Sequence, residues 1–203
     1  MEDAPKPWDI SPSLQEERLR FLGELALDVR KGAVAAQEPD KGDGRWGLGC
    51  RFYERLSDAF IKAAASGEVP WLTALRPNGN PLELYLAIGG CPIHYLRGDP
   101  AKPSQQHLVR AQEQYDFWPN SRSTGWYWLM IVESTSDEEA TRVLFEEVSD
   151  SGDIRNQWVA ATAKSVVTSI PSIVKQGTPI PAPAVGGPPS KKKESDGSNG
   201  EES

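Results

Sequence analysis

Two apolar stripes with helical spacing occupy the first third of the chain. Ser13 and Glu16 have the spacing of a helix-capping pair, and apolar residues recur on one helical face, namely Leu14, Phe21, Leu22, Leu25 and Val29. This pattern predicts a helix over about residues 13–31 that ends at Gly32. A second stripe, made of Phe52, Leu56, Phe60 and Ala63, predicts a helix over about residues 50–65 that Gly67 closes. The polar, glycine-rich residues 37–49 are predicted to link the two helices.

Beyond residue 70 the pattern changes to the alternation of β-strands. β-branched and aromatic residues alternate with polar ones across residues 71–100, and Gly89-Gly90 has the composition of a two-residue hairpin turn. The alternation of pairs in an antiparallel ladder then sets a register with Ile88 opposite Cys91, Tyr85 opposite His94 and Leu84 opposite Tyr95. Tyr85 and His94 therefore share one face of the hairpin, whereas Tyr95 and Arg97 lie on the other.

Pro92 lies one residue after this turn and has no N–H group to donate to a neighbouring strand. At its position in the hairpin the missing donor costs nothing, but it obstructs pairing on the other side. We therefore expect residues 91–97 to form an edge strand, at least near the turn.

The rest of the folded region contains further elements of both types. Residues 103–115 are predicted to form a short helix, and the run GWYWLMIVE at 125–133 is apolar on both faces, as in a central strand. Residues 136–160 fit either a helix or a hairpin that follows a short helical turn, and we favour the hairpin. The whole pattern predicts an α+β domain over residues 13–170, with two N-terminal helices packed on a mostly antiparallel sheet.

Both ends of the chain differ in composition from this domain. Residues 1–12 are expected to be a flexible N-terminus. Residues 171–203 are rich in Pro, Gly, Ser, Lys and Glu and have few apolar side chains to bury, so they are predicted to form a disordered tail.

Charge and cysteine content narrow the expected partners. The net charge is −7, from 22 basic and 29 acidic residues, which makes this an acidic protein and disfavours general affinity for nucleic acids. Residues 69–131, however, hold five basic and four acidic residues, so any anion-binding surface is expected to lie in that stretch. Two cysteines and the lack of a long apolar run favour a cytoplasmic location without a membrane partner.

The motifs of common enzyme and cofactor sites are weak here. Gly42–Gly47 reads GxGxxG, but loop-forming residues and not a strand precede it, so a flexible link is favoured over a dinucleotide site. His94 and His107 are the only histidines and lack ligand spacing to each other or to a cysteine, so no metal or other cofactor is expected. Cys91 and His94 point to opposite faces of one strand, which excludes a direct catalytic pair. Enzymatic activity is therefore not indicated.

Aromatic and arginine side chains concentrate in and beside the predicted hairpin. The candidate binding residues are Arg76, Tyr85, His94, Tyr95, Arg97 and Asp99, with Trp118 and Arg122 in a tryptophan-rich stretch farther along. Such a surface holds a base or a phosphate, and an edge strand pairs with a strand of a partner. Ordinary cross-strand packing, with Arg97 holding Asp99, explains the same residues without any ligand.

These observations lead to two hypotheses about function. The first is a protein-binding or adaptor module without an evident catalytic site, which binds its partner through the edge strand 91–97 or the Trp118 region. The alternative is a nucleotide- or nucleic-acid-interacting component of a toxin–antitoxin or phage-defence type system, motivated by the basic, aromatic middle of an acidic chain.

Overall fold

The computed structural model describes residues 5–80, 83–100, 104–118, 125–134, 140 and 142–163. The predicted disordered tail at 171–203 and the candidate residue Arg122 lie outside these described residues. The helices are α1 (Pro7–Ile10), α2 (Glu16–Ala35), α3 (Arg45–Ala65) and α4 (Gln105–Phe117). The strands are β1 (Leu72–Leu75), β2 (Tyr85–Ile88), β3 (Cys91–Arg97), β4 (Trp126–Glu133), β5 (Arg142–Ser149) and β6 (Ile154–Thr162), and single 3₁₀ turns occur at Pro39–Lys41 and Pro77–Gly79.

The described strands form one mixed sheet in the order β1-β2-β3-β4-β5-β6. Neighbouring strands are antiparallel except for β3 and β4, which are parallel. The parallel pair arises because the chain passes through α4 between these two strands and re-enters the sheet in the same direction. The α+β class is therefore confirmed, but the sheet is mixed, because one of its central pairs is parallel.

Helices cover both faces of this sheet. The helices α2 and α3 pack on one face, where α2 contacts β5 and β6 and α3 contacts β1, whereas α4 contacts β3 and β4. The β4 side chains alternate between two apolar clusters, with Trp128, Met130 and Val132 in one and Tyr127, Leu129 and Ile131 in the other. The run at 125–133 thus contains a central strand buried on both faces, as predicted.

The hairpin turn is located as the sequence predicts. Gly89 and Gly90 have φ angles of 55° and 84°, which glycine adopts without steric cost. The ladder pairs Ile88 with Cys91 and ends at the pair Leu86–Ile93. The expected pairings of Tyr85 with His94 and of Leu84 with Tyr95 are not part of it, although Tyr85 still pairs with Leu75 of β1 on the other side.

The prediction that residues 91–97 form an edge strand is wrong. β3 lies inside the sheet, and its parallel ladder with β4 begins at Ile93–Trp128 and ends at Arg97–Val132. Pro92 prevents pairing only at its own position, so β4 joins one residue later. Residues 94–97 are instead open on the side of β2, because the ladder with β2 ends at Leu86–Ile93, and this is the opposite side from the one expected.

The helix boundaries differ from the predicted ones at glycines. α2 continues through Gly32 to Ala35, and α3 begins at Arg45, within the predicted 37–49 link. A glycine lowers helix propensity without preventing helical geometry, and the burial of Ala33 favours the extension. The GxGxxG run at Gly42–Gly47 directly follows the 3₁₀ turn Pro39–Lys41.

The remaining predictions concern the chain after β4 and the N-terminus. β5 and β6 form an antiparallel hairpin, as favoured, whereas the helical turn expected before it falls largely outside the described residues. In the N-terminal segment expected to be flexible, α1 places Trp8 against Trp158, with ring centroids 5.4 Å apart. None of the described helices has the length and hydropathy that a membrane crossing requires.

Candidate functional site

A cavity opens beside β3 at the point where β2 ends its pairing. Its volume is about 350 Å³, and its walls come from α3, α4, residues 83–85 and the β3 residues 94–97. In an antiparallel ladder the backbone groups of alternate residues point to the same neighbour. Since Ile93 is paired with β2, the backbone N–H and C=O of Tyr95 point toward this cavity. The cavity is therefore a break in the sheet that a helix covers on each side.

Gln114 of α4 is located at the point where β2 and β3 separate. Its side chain is 1% exposed, and its Nε2 atom donates to the carbonyl oxygens of Leu86 and Ile93, at 2.7 Å each. These two residues form the last pair of the ladder. Both amide hydrogens are thus used, and Gln114 holds α4 over the point where the strands diverge.

A half-buried arginine lies on the α3 side of the cavity. The Arg97 side chain passes Gly49 of α3, where a Cβ atom would lie 3.8 Å from the guanidinium nitrogens. Arg97 Nη1 is buried and has no hydrogen-bond acceptor among the described residues. A buried guanidinium nitrogen without an acceptor costs free energy, so this position favours an anion that accepts a hydrogen bond from it.

Aromatic rings form the wall next to Arg97. Tyr53 of α3 stacks on Tyr95 with ring centroids 5.7 Å apart, and Tyr95 also contacts the edges of Phe52 and Phe60. Burial raises the pKa of Tyr53 and of Tyr95, which keeps both hydroxyls protonated at neutral pH. The stacked pair therefore presents an uncharged aromatic surface to the cavity.

Tyr85 is another aromatic residue that lines the cavity. Tyr85 packs against Phe117 of α4 in an edge arrangement, with centroids 4.8 Å apart. Burial, and then the neighbouring Glu83 carboxylate, raise the pKa of Tyr85. The cavity thus has aromatic side chains on both its α3 and its α4 side.

Two histidines meet on the α4 side. His94 Nε2 and His107 Nδ1 are 3.3 Å apart, and both rings line the cavity. Burial lowers the pKa of His94 to about 3, with smaller contributions from His107 and Arg110, and burial also lowers the pKa of His107. Both imidazoles are consequently neutral at pH 7 and each keeps a nitrogen lone pair.

Charged side chains near the mouth carry both signs. Glu83, Glu113 and Arg110 line the cavity, and both Glu113 and Arg110 are exposed. Carboxylates at this position accept hydrogen bonds from hydroxyl or amino groups, whereas the arginine attracts anions. The mouth therefore suits a polar ligand, and the deeper part near Arg97 suits an anionic group.

The structure brings only some of the predicted site residues together. Tyr85, His94, Tyr95 and Arg97 line this one cavity. Arg76 instead pairs with Asp58 at 2.8 Å. The exposed Asp99 and the half-buried Trp118 do not line the cavity, and Trp118 contacts Phe117 with ring centroids 5.4 Å apart.

Sequence reasoning missed the contributions of the two helices. Tyr53 was assigned no role, and His107, Arg110 and Gln114 were not connected with the hairpin. These three α4 residues are spaced i, i+3 and i+7, which places them on one side of the helix. A polar stripe on a helix predicted to cover a sheet is the signal that points to a lined cavity.

Neither a search for metal-ligand clusters nor comparison with known proteins assigns a ligand to the cavity. Within the part of the chain that the structure describes, no three His, Cys, Asp or Glu side chains cluster as a metal site. The chain matches no protein-family model, no curated protein and no solved structure.

Proposed function

We propose that the cavity beside β3 binds one small molecule in which an anionic group is joined to a planar ring, as in a nucleoside monophosphate. The observation that carries this proposal is the buried Arg97 Nη1 atom, which has no acceptor among the described residues and lies beside the Tyr53–Tyr95 stack. A phosphate or carboxylate oxygen supplies the missing acceptor through a charge-assisted hydrogen bond.

The remaining walls suit the rest of such a ligand. A volume of about 350 Å³ lies at the lower end of the range of small-molecule sites, which corresponds to a single nucleotide-sized molecule and not to a polymer. Tyr53 and Tyr85 offer faces for the ring of the ligand, because aromatic side chains stack on a nucleobase whichever base it is. Glu83 and Glu113 accept hydrogen bonds from the hydroxyl groups of a sugar.

Isothermal titration of the full chain with adenosine monophosphate, adenosine and inorganic phosphate, in buffer with a chelator, tests this proposal. We expect the monophosphate to bind more tightly than either part alone, since it uses both the arginine and the rings. The Arg97→Gln variant is expected to lose tenfold or more in affinity for the monophosphate, because a hydrogen bond to a charged group is worth roughly 1.5–3 kcal/mol.

Arg55→Gln is the matched control. Arg55 belongs to α3, which forms one wall of the cavity, but its Nη1 donates to the Gly32 carbonyl and its side chain does not line the cavity. This variant should bind the monophosphate as the parent does. If Arg97→Gln retains the parent affinity, or if neither the nucleotide nor phosphate binds at millimolar concentration, the proposed ligand class is wrong.

Of the two surfaces that the adaptor hypothesis offers for a protein partner, the predicted edge strand 91–97 is not an edge strand. β3 pairs on both sides for part of its length, so it does not offer the continuous edge that strand addition requires. Protein binding through the Trp118 region stays a prediction, as does membership of a toxin–antitoxin or phage-defence type system.

A further inference from the structure

The fold brings the two histidines of the chain together from different elements. His94 lies in the middle of β3 and His107 in the first turn of α4, thirteen positions later, and the chain has no other histidine. Their facing nitrogens, His94 Nε2 and His107 Nδ1, are 3.3 Å apart. No local sequence spacing reveals this contact, because the loop between strand and helix creates it.

The distance between the nitrogens matches that of two ligands on one metal ion. Imidazole nitrogens bound to a tetrahedral ion at about 2.0–2.1 Å lie roughly 3.3–3.4 Å from each other. The observed separation of 3.3 Å therefore fits a shared ion, and it equally fits a hydrogen bond from one neutral ring to the other when no ion is bound.

The hydrogen bonds around His94 favour the ligating tautomer. Gln114 uses both of its amide hydrogens on the Leu86 and Ile93 carbonyls, so only its oxygen remains to interact with the His94 ring, as an acceptor. Because His94 Nε2 faces His107, this bond is assigned to Nδ1–H and leaves the Nε2 lone pair directed at His107. Metal-bound histidines characteristically donate their second nitrogen to an oxygen in this way.

We propose that His94 Nε2 and His107 Nδ1 together bind a borderline divalent transition-metal ion of the Zn²⁺ class on the wall of the cavity. Nitrogen ligands select such ions over Mg²⁺ and Ca²⁺, which prefer oxygen. Because no third His, Cys, Asp or Glu clusters with the pair in the described residues, the other positions of the ion face the cavity and hold water or an anion. The site does not depend on the nucleotide proposal, since metal binding needs no second ligand.

Titration of the full, untagged chain with Co²⁺, followed by visible absorption, tests this site. We expect one equivalent of Co²⁺ to bind with a dissociation constant on the order of 1–100 µM, since two protein ligands bind far more weakly than the four of a structural site. Zn²⁺ should displace the Co²⁺, and Mg²⁺ should not. The His107→Gln variant should bind at least tenfold more weakly, whereas Gln106→Ala, an exposed neighbour in the same turn, should bind as the parent does.

Nitrogen NMR of the imidazole rings identifies the bound atoms. Zn²⁺ is expected to change the nitrogen-15 chemical shifts of His94 Nε2 and His107 Nδ1. Circular dichroism of the same sample should show that the protein stays folded. Two results overturn the proposal. If the folded parent chain binds no metal, the two histidines are only a hydrogen-bonded pair. If the His107→Gln variant still binds Co²⁺ and shows a sulfur-to-cobalt charge-transfer band, the metal is bound by Cys50 or Cys91. Because no nucleotide is present, failure here leaves the nucleotide titration unaffected.

Discussion

The Gln114 amide nitrogen lies 2.7 Å from the carbonyl oxygen of Ile93, and it joins α4 to the sheet at the last residue of β3 that pairs with β2. The same nitrogen donates to Leu86 across the ladder. Beyond this point the two strands diverge and the cavity begins. A single buried amide therefore connects the position of α4, the end of the ladder and the orientation of His94.

Replacement of Gln114 by leucine should destabilise the fold by about 2–4 kcal/mol. The variant removes two hydrogen bonds and leaves the His94 ring without its acceptor, and each buried polar group left unpaired costs roughly 1–3 kcal/mol. Urea unfolding followed by tryptophan fluorescence measures the loss. Gln112→Leu is the control, because Gln112 is exposed on the same helix and its replacement should change the free energy of unfolding by less than about 0.5 kcal/mol. Equal losses in the two variants would contradict the role assigned to Gln114.

Local sequence patterns predicted much of the fold, but the cavity depends on contacts between residues far apart in the sequence, which local patterns do not specify. The turn at Gly89-Gly90 is determined by neighbouring residues, so its position and its first pairs follow from composition. The pairing of β3 with β4 joins residues more than thirty positions apart, and Pro92 near the start of β3 indicated the wrong edge.

The candidate site shows the same division between local and distant contacts. Alternation along β3 correctly separates Tyr95, which contacts rings of α3, from His94, which contacts α4. The partners themselves, Tyr53 and His107, come from helices whose docking position no pattern in the strand specifies. The residues of the strand were therefore predictable as candidates, whereas their convergence on one cavity was not.

Two glycines of α2 should respond in opposite directions to alanine. A Cβ atom at Gly23 would lie 3.0 Å from the Cβ atoms of Ala160 and Ala161, so α2 approaches β6 more closely than a larger residue permits. Gly23→Ala should lower the free energy of unfolding by about 1–3 kcal/mol, because neither strand nor helix moves without loss of packing. At Gly32 nothing lies within 4 Å of the added Cβ atom. Gly32→Ala should therefore raise the free energy of unfolding by up to about 1 kcal/mol, because alanine has the higher helix propensity.

Thermal unfolding of these two variants beside the parent checks the close approach of α2 to β6. The single added methyl group is the same in both, so intrinsic helix propensity cannot produce opposite signs. A stabilising Gly23→Ala substitution would show that α2 and β6 are not in this close contact.

The Tyr115 hydroxyl accepts a hydrogen bond from the backbone N–H of Trp128 at 3.2 Å, where β4 begins to pair with β3. Tyr115→Phe leaves this buried N–H without its acceptor and should cost about 1–3 kcal/mol. The more specific readout is hydrogen exchange at the Trp128 amide, which should accelerate more than exchange at Met130 in the same strand. Uniform acceleration along β4 would indicate general destabilisation and contradict the local role of the hydroxyl.

Glu146 should make the protein less stable as the pH rises through the range from about 4.5 to 7. Its side chain is fully buried, its Oε2 has no partner among the described residues, and Gln157 donates to Oε1. Burial raises the pKa of Glu146 to about 7, with a smaller contribution from Asp99, although Gln157 and Arg142 act in the opposite direction. The folded protein therefore keeps the proton that the unfolded chain loses near its ordinary pKa of 4.5.

Linkage then fixes the sign and the size of the effect. Between these two pKa values the folded state binds more protons than the unfolded state, so the free energy of unfolding falls with rising pH and levels off above about 7. The total loss is roughly 2–4 kcal/mol, from the difference between the two pKa values. Glu146→Gln resembles the protonated carboxyl and should remove this loss, so the variant gains stability relative to the parent from pH 4.5 to pH 8. Urea unfolding of both proteins across that range measures the difference, and the exposed Glu54→Gln should show no comparable change. A parent and a Glu146→Gln variant whose stabilities run parallel over this range would mean that the buried carboxyl does not retain its proton.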